Sequence, residues 1–129
     1  MTDARRILAR AQRETLERSM LQQLTHYLQF PGLTWVQQYQ FASVDFGLKY
    51  RADFAELNWR LLIEIQGGTR INGAHNRGGG YERDCYRLAI AQILGFDMLY
   101  VTVDMLQDNR ALHLVERWFL AQAQRRRAA

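Results

Sequence analysis

Lys49-Tyr50-Arg51-Ala52-Asp53-Phe54-Ala55-Glu56-Leu57-Asn58-Trp59-Arg60-Leu61-Leu62-Ile63-Glu64-Ile65-Gln66 is the stretch that decides the fold. Alternating apolar residues on either side of a short polar break at Asn58 read as two strands, at about 49–55 and 60–66. A two-residue turn at Asn58-Trp59 predicts a hairpin that pairs Leu57 with Arg60, and every further pair keeps the same sum of residue numbers. Asp53 then lies opposite Glu64, and Arg51 opposite Gln66. Side chains directly opposite stand roughly 4.5–5.5 Å apart at Cβ. Ala52, Phe54, Leu61, Ile63 and Ile65 fall on the other face, so one face is expected to be core while the other brings two carboxylates together. Carboxylates at that spacing are costly unless a cation lies between them, and a hard divalent cation is the usual solution. The plain alternative is a salt-bridged surface hairpin in which Arg51 or Arg60 neutralises the acids.

Outward from the hairpin, 129 residues suit one domain, 1–129, and 48% apolar residues are enough for a sizeable core. With 23% charged residues the composition is that of a globular chain rather than a disordered one. No apolar stretch approaches the ~20 residues of a membrane span, and no apolar signal region follows Met1. Cys85 is the single cysteine, which excludes an intrachain disulfide and fits a reducing cytoplasm. The net charge is +4, and the basic residues are sixteen Arg and one Lys, Lys49. That bias points weakly to a polyanionic partner; an Arg-rich codon usage accounts for it equally well.

Residues 5–29 read as a long helix with Leu16, Met20, Leu24 and Tyr27/Leu28 on one face, ended by Phe30-Pro31-Gly32. Residues 34–41 read as a first strand. After the hairpin comes a Gly-rich loop from Gly67 to Gly80, which holds Arg70, His75 and Arg77. A second helix at about 79–95 has Tyr81, Cys85, Leu88 and Gln92 along one face, Cys85 being read as a small core residue and Gly95 as the C-cap. Residues 97–103 read as a strand added in parallel to the sheet. A last helix at about 105–124 uses Leu112, Val115, Trp118 and Phe119, and Gln124-Arg-Arg-Arg-Ala-Ala is left as a frayed basic tail. The expected class is α/β, in the order α-β-β-β-α-β-α, with a mixed four-stranded sheet flanked by helices.

That order, with Tyr-Arg-Ala-Asp53-Phe-Ala followed by Ile-Glu64-Ile-Gln66-Gly-Gly, resembles the restriction-endonuclease-like, or PD-(D/E)XK, nuclease superfamily. Together with His75-Asn-Arg-Gly-Gly-Gly-Tyr-Glu82-Arg-Asp84-Cys-Tyr-Arg87 and Leu-Gly95-Phe-x-x-Leu-Tyr-Val-Thr, it is similar to the branch of small phage and bacterial endonucleases that includes very-short-patch-repair-type enzymes. The resemblance covers roughly residues 49–105. It implies a Mg²⁺ (or Mn²⁺) ion on Asp53, Glu64 and the carbonyl of Ile65, with a first-helix glutamate, Glu17, as a further candidate ligand. The superfamily's third position is most often Lys; Gln66 stands there, able to hydrogen-bond a water or phosphate but uncharged. Arg51 or Lys49 on the same face is a candidate compensating cation. A loop histidine assists the chemistry in the very-short-patch-type relatives, which marks His75. Arg70, Arg77, Arg83 and Arg87, with Lys49 and Arg51, are the candidate phosphate contacts. Glu82 and Asp84 read as first-turn acids that meet the helix dipole.

The implied activity is Mg²⁺-dependent hydrolysis of DNA phosphodiester bonds. No element is identifiable as a groove reader, so structure-selective or weakly sequence-specific cutting is expected, on branched, nicked or mismatched DNA. Cutting both strands needs two sites, which a homodimer would supply; the superfamily also holds monomers. The alternative is a nucleic-acid-binding module on the same fold with little or no turnover.

Overall fold

The computed structural model describes residues 2–66 and 79–128. Its elements are helix α1 (Asp3–Tyr27), strand β1 (Trp35–Gln40), helix α2 (Ser43–Phe46), strands β2 (Arg51–Glu56) and β3 (Leu61–Gln66), helix α3 (Gly79–Ile93), strand β4 (Asp97–Thr102) and helices α4 (Val103–Gln107) and α5 (Arg110–Ala128). The class is α/β, and the four strands form one mixed sheet in the order β1-β2-β3-β4. Two compact units divide the chain, Met1–Pro31 with Val101–Ala129, and Gly32–Tyr100. Among the described residues no helix is long and apolar enough to cross a membrane.

In the first unit, Thr2 caps α1 by accepting the N–H of Arg5 at 3.3 Å, and Met20 and Leu24 are its buried residues. The helix expected over 105–124 is two helices. Thr102 caps α4 through the N–H of Met105, and the chain breaks at Asp108-Asn109. Asn109 takes a left-handed φ of 68°, which Asn tolerates better than most residues, and Asp108 accepts the N–H of Arg110 to start α5. Ala111, Val115 and Phe119 form the buried stripe of α5, and Phe119 stacks on Phe30 with centroids 5.1 Å apart. Helix α5 continues through Arg125, Arg126 and Arg127, where a frayed tail was expected. Arg and Ala are good helix formers, and cations suit a helix C-terminus.

In the second unit, β1 pairs antiparallel with β2 and β2 with β3. The second register is Phe54↔Ile63, Ala55↔Leu62 and Glu56↔Leu61, the pairing that the sequence predicts. The turn itself differs. Leu57–Arg60 is a four-residue loop closed by Arg60 N–H to the Glu56 carbonyl at 2.9 Å, with Arg60 at a left-handed φ of 69°. A two-residue turn and a four-residue loop share a centre between Asn58 and Trp59, so the register survives the change.

The loop is pinned by Glu56, which is fully buried and accepts the backbone N–H groups of Thr34 and Trp59. Asn58 adds bonds from its side-chain amide to the Gly32 carbonyl and, at 3.1 Å, to the Thr34 hydroxyl.

The expectation of one core face and one polar face is corrected. Phe54, Leu61, Ile63 and Ile65 are buried, but so are Ala55 and Leu62, which share the face of the acids. Ala55 and Leu62 join Ile90 and Ala91 of α3, with Phe41, Ala42, Ala52 and Phe96, in one apolar cluster. Full burial of a Leu or Ile side chain is worth about 1.5–3 kcal/mol, so this contact fixes the rotation of α3. The buried face of α3 is therefore not the one expected. Tyr81 is 70% exposed and Cys85 is exposed, whereas Ile90 and Ala91 are buried. The helix ends at Gly95, whose φ of +86° allows Phe96 N–H to bond back to the Ala91 carbonyl at 2.9 Å.

Candidate functional site

The register of β2 and β3, carried one position beyond Phe54↔Ile63, sets Asp53 across from Glu64. The register of β1 and β2, Gln37↔Phe54 and Tyr39↔Ala52, sets Gln38 across from Asp53 on the other side. Three neighbouring strands thus place Gln38, Asp53 and Glu64 in one polar row. Both acids are buried, Asp53 at 6% and Glu64 at 8% exposure.

Each carboxylate oxygen of Asp53 accepts a hydrogen bond. Gln38 Nε2 donates to Oδ1 at 3.2 Å, and the backbone N–H of Ile65 donates to Oδ2 at 2.7 Å. Gln38 sits in a strand with φ of 52°, a left-handed conformation that costs on the order of 1–3 kcal/mol and tends to gather at functional sites. Two donors on two oxygens fix the plane of the carboxylate, and charge-assisted bonds of this kind are the stronger class.

Glu64 is met by Arg87 of α3. Arg87 Nη2 donates to Glu64 Oε2 and, at 2.8 Å, to the carbonyl of Arg51. Its guanidinium carbon lies 5.3 Å from the centre of the Tyr50 ring, within cation–π range. The Arg87 and Glu64 side chains are 15% and 10% exposed, so this ion pair is largely desolvated. Arg87 Nε is buried with no hydrogen-bond partner among the described residues. Beside the pair, the Tyr100 hydroxyl donates to the Asp84 carbonyl at 3.3 Å. Burial raises the Tyr100 phenol above its ordinary pKa; Asp84 adds to that, Arg87 opposes it, and Glu64 adds again.

The residues expected to neutralise the acids act elsewhere. Arg51 exposes its side chain, and its carbonyl accepts from Arg87. Arg60 lies over the Phe96 ring, 3.8 Å from its centre, and donates to the Leu94 carbonyl. Lys49, Glu82 and Arg83 are exposed, and Gln66 ends β3 half-buried, across from Arg51 by the same register. Glu17 belongs to the unit that contains α1, where it accepts from Arg13 at 3.1 Å. Arg70, His75 and Arg77 lie outside the described residues.

Among the described residues no three His, Cys, Asp or Glu side chains gather around one point. The donor set on the row is oxygen only, two hard carboxylates from adjacent strands, one of them already oriented. That chemistry fits Mg²⁺ or Mn²⁺ rather than zinc. A cation on Glu64 meets Arg87 already there.

Sequence reasoning missed Gln38, Arg87 as the partner of Glu64, and Tyr100. Gln38 was within reach, because the antiparallel register of β1 with β2 sets it beside Asp53 as surely as the hairpin sets Glu64 there. No protein-family model, no curated protein and no solved structure matches the chain.

Proposed function

We propose that the chain is a Mg²⁺-dependent endodeoxyribonuclease with a restriction-endonuclease-like core. The observation that carries the reading is the pairing of Asp53 with Glu64 on adjacent strands, both buried, with Asp53 fixed by Gln38 and the Ile65 N–H. The motif resemblance gives that pair its chemical meaning. Asp53 and Glu64 would hold the cation, which when bound supplies polarisation of a phosphodiester and acidification of a water. Gln66, at the end of β3, offers an amide to that water or to a phosphate oxygen. The exposed Lys49, Arg51 and Arg83 are the candidate phosphate contacts. The substrate class is DNA, cut in a structure-selective or weakly sequence-specific manner. The lone exposed thiol of Cys85 suits a reducing cytoplasm, and a homodimer supplies the second site that double-strand cutting needs.

Incubation of the purified protein with labelled duplex, nicked, flapped, mismatched and four-way DNA in Mg²⁺ or Mn²⁺ tests the reading. Cleavage that disappears in Asp53→Asn and Glu64→Gln is expected. No cutting by the wild type, or equal cutting by Asp53→Asn, overturns it.

A second reading has one observation in its favour. Arg87 satisfies Glu64 without any cation, and Gln66 brings no charge. A binding module with no turnover would hold DNA with an affinity that falls steeply with salt and would release it uncut.

A further inference from the structure

We propose that Arg87 is a latch on the acid pair, which holds Glu64 while no cation is bound and moves onto a DNA phosphate when the cation takes its place. The inference rests on the nuclease reading above.

The latch is built rather than incidental. One guanidinium nitrogen, Nη2, serves both the Glu64 carboxylate and the Arg51 carbonyl, and the ring of Tyr50 lies beside the same group. Three residues further along α3, Ile90 packs into the apolar cluster with Ala55 and Leu62, so the helix backbone holds Arg87 in front of β3. Arg87 Nε is buried without a partner among the described residues, so the guanidinium is incompletely satisfied where it lies. A buried donor in that condition favours an alternative position that offers it an acceptor.

Arg87 occupies Glu64 Oε2, and a divalent cation that takes the same oxygen competes with it, because two positive groups on one oxygen of a partly desolvated carboxylate repel. Cation binding at Oε2 therefore displaces Arg87. Once displaced, Arg87 is a long, planar donor beside the cation-bearing acids, where a phosphate diester supplies the paired acceptor oxygens it lost. Cation and DNA are then coupled: the cation releases the arginine that DNA uses, and by linkage DNA raises the affinity for the cation. Arg87 is in this scheme a positioning residue, acting on Glu64 before it acts on substrate.

Calorimetry with Mn²⁺ in the absence of DNA tests the first half. Arg87→Gln is expected to bind Mn²⁺ about tenfold more tightly than the wild type, in the range typical of coupled sites. Arg87→Lys keeps the charge but cannot bridge Glu64 and the Arg51 carbonyl in the same way, so it is expected to fall between the two. It also serves if the Gln variant fails to fold. Mn²⁺ affinity equal to or weaker than wild type in both variants overturns the latch while leaving the cation site standing. Loss of Mn²⁺ binding in Asp53→Asn shows that the titration reads the acid pair. No Mn²⁺ binding by any form overturns the nuclease reading, and the latch with it.

DNA binding in EDTA tests the second half. Glu64→Gln frees Arg87 without a cation and is expected to bind a short duplex several-fold more tightly than the wild type. The gain should shrink when Glu64→Gln is made on Arg87→Gln. An equal gain in both backgrounds means that only the lost negative charge matters, and overturns the transfer of Arg87 to phosphate.

Discussion

The carboxylate of Asp53 accepts the backbone N–H of Ile65 at 2.7 Å, so the acid on β2 is tied to the residue immediately after the acid on β3. The tie sets the two carboxylates by a local bond between strands and needs no ion to bring them together. A site of this kind is preorganised: the order at Asp53 is established on folding, not on binding.

Asp53→Ala removes the acceptor of the Ile65 N–H and of Gln38. Loss of a hydrogen bond to a buried carboxylate costs about 1–3 kcal/mol, so the urea midpoint should fall accordingly. Asp53→Asn keeps one acceptor oxygen and should lose less stability, yet lose DNA cleavage as completely as Asp53→Ala. Parallel urea and cleavage measurements on the two variants separate the structural part of Asp53 from its chemical part.

Glu56 is the acid that sequence reasoning passed over, and the prediction for it is the opposite one. It is fully buried and its two oxygens accept the N–H groups of Thr34 and Trp59 at the closed end of the hairpin. Glu56→Ala should cost about 1–3 kcal/mol, because the N–H groups of Thr34 and Trp59 lose the carboxylate that accepts them, read by urea unfolding. Glu56→Gln should cost less, since one amide oxygen still accepts. Cleavage per folded molecule should be unchanged in the Gln variant, because Glu56 belongs to the loop and not to the polar row.

Tyr100 gives a pH handle on the pair beside it. Its pKa is raised, by burial first and then by Asp84 and Glu64, with Arg87 opposing. Ionisation is thus harder in the folded state than in the unfolded chain. The stability associated with the neutral phenol is complete below its ordinary pKa of about 10 and is lost as pH climbs through the higher folded value. Difference absorbance titration of wild type against Tyr100→Phe should show this late phenol. Glu64→Gln should bring it down toward the ordinary value, and Arg87→Gln should push it further up. An unmoved titration in both variants refutes the electrostatic contact among the three side chains.

Gly95 offers a check on the geometry that sets α3. At φ of +86° a Cβ would meet its nearest atom, Arg60 Nη2, at 3.6 Å, which is ordinary contact. The cost of Gly95→Ala is then backbone strain alone, roughly 1–2 kcal/mol, seen as a lower urea midpoint. Gly95→Asn should cost less, because Asn tolerates the left-handed region better.

The hairpin was legible because its determinants are neighbours in the chain. Strand alternation sets which residues share a face, and the centre of the turn sets which residues oppose one another. The four-residue loop replaced the expected two-residue turn without disturbing either, since both have even length about Asn58-Trp59. The face of α3 was not legible. Apolar periodicity selected Tyr81, Cys85, Leu88 and Gln92, but the sheet face that α3 covers carries acids as well as Ala55 and Leu62. The complementary helix face therefore has to carry an arginine among its apolar residues, and a search for apolar periodicity passes over a face marked by Arg87.

From the sequence alone, the opposition of Asp53 and Glu64 was already determined, because a strand's period and a turn's midpoint are local properties. Which cation meets Glu64 was decided only by tertiary structure. Arg51 and Arg60 are nearer along the chain, but the rotation of α3, set by Ile90 and Ala91 against the sheet, delivers Arg87 from 23 residues away. Helix rotation depends on the whole surface it packs against, and no window of sequence contains that surface.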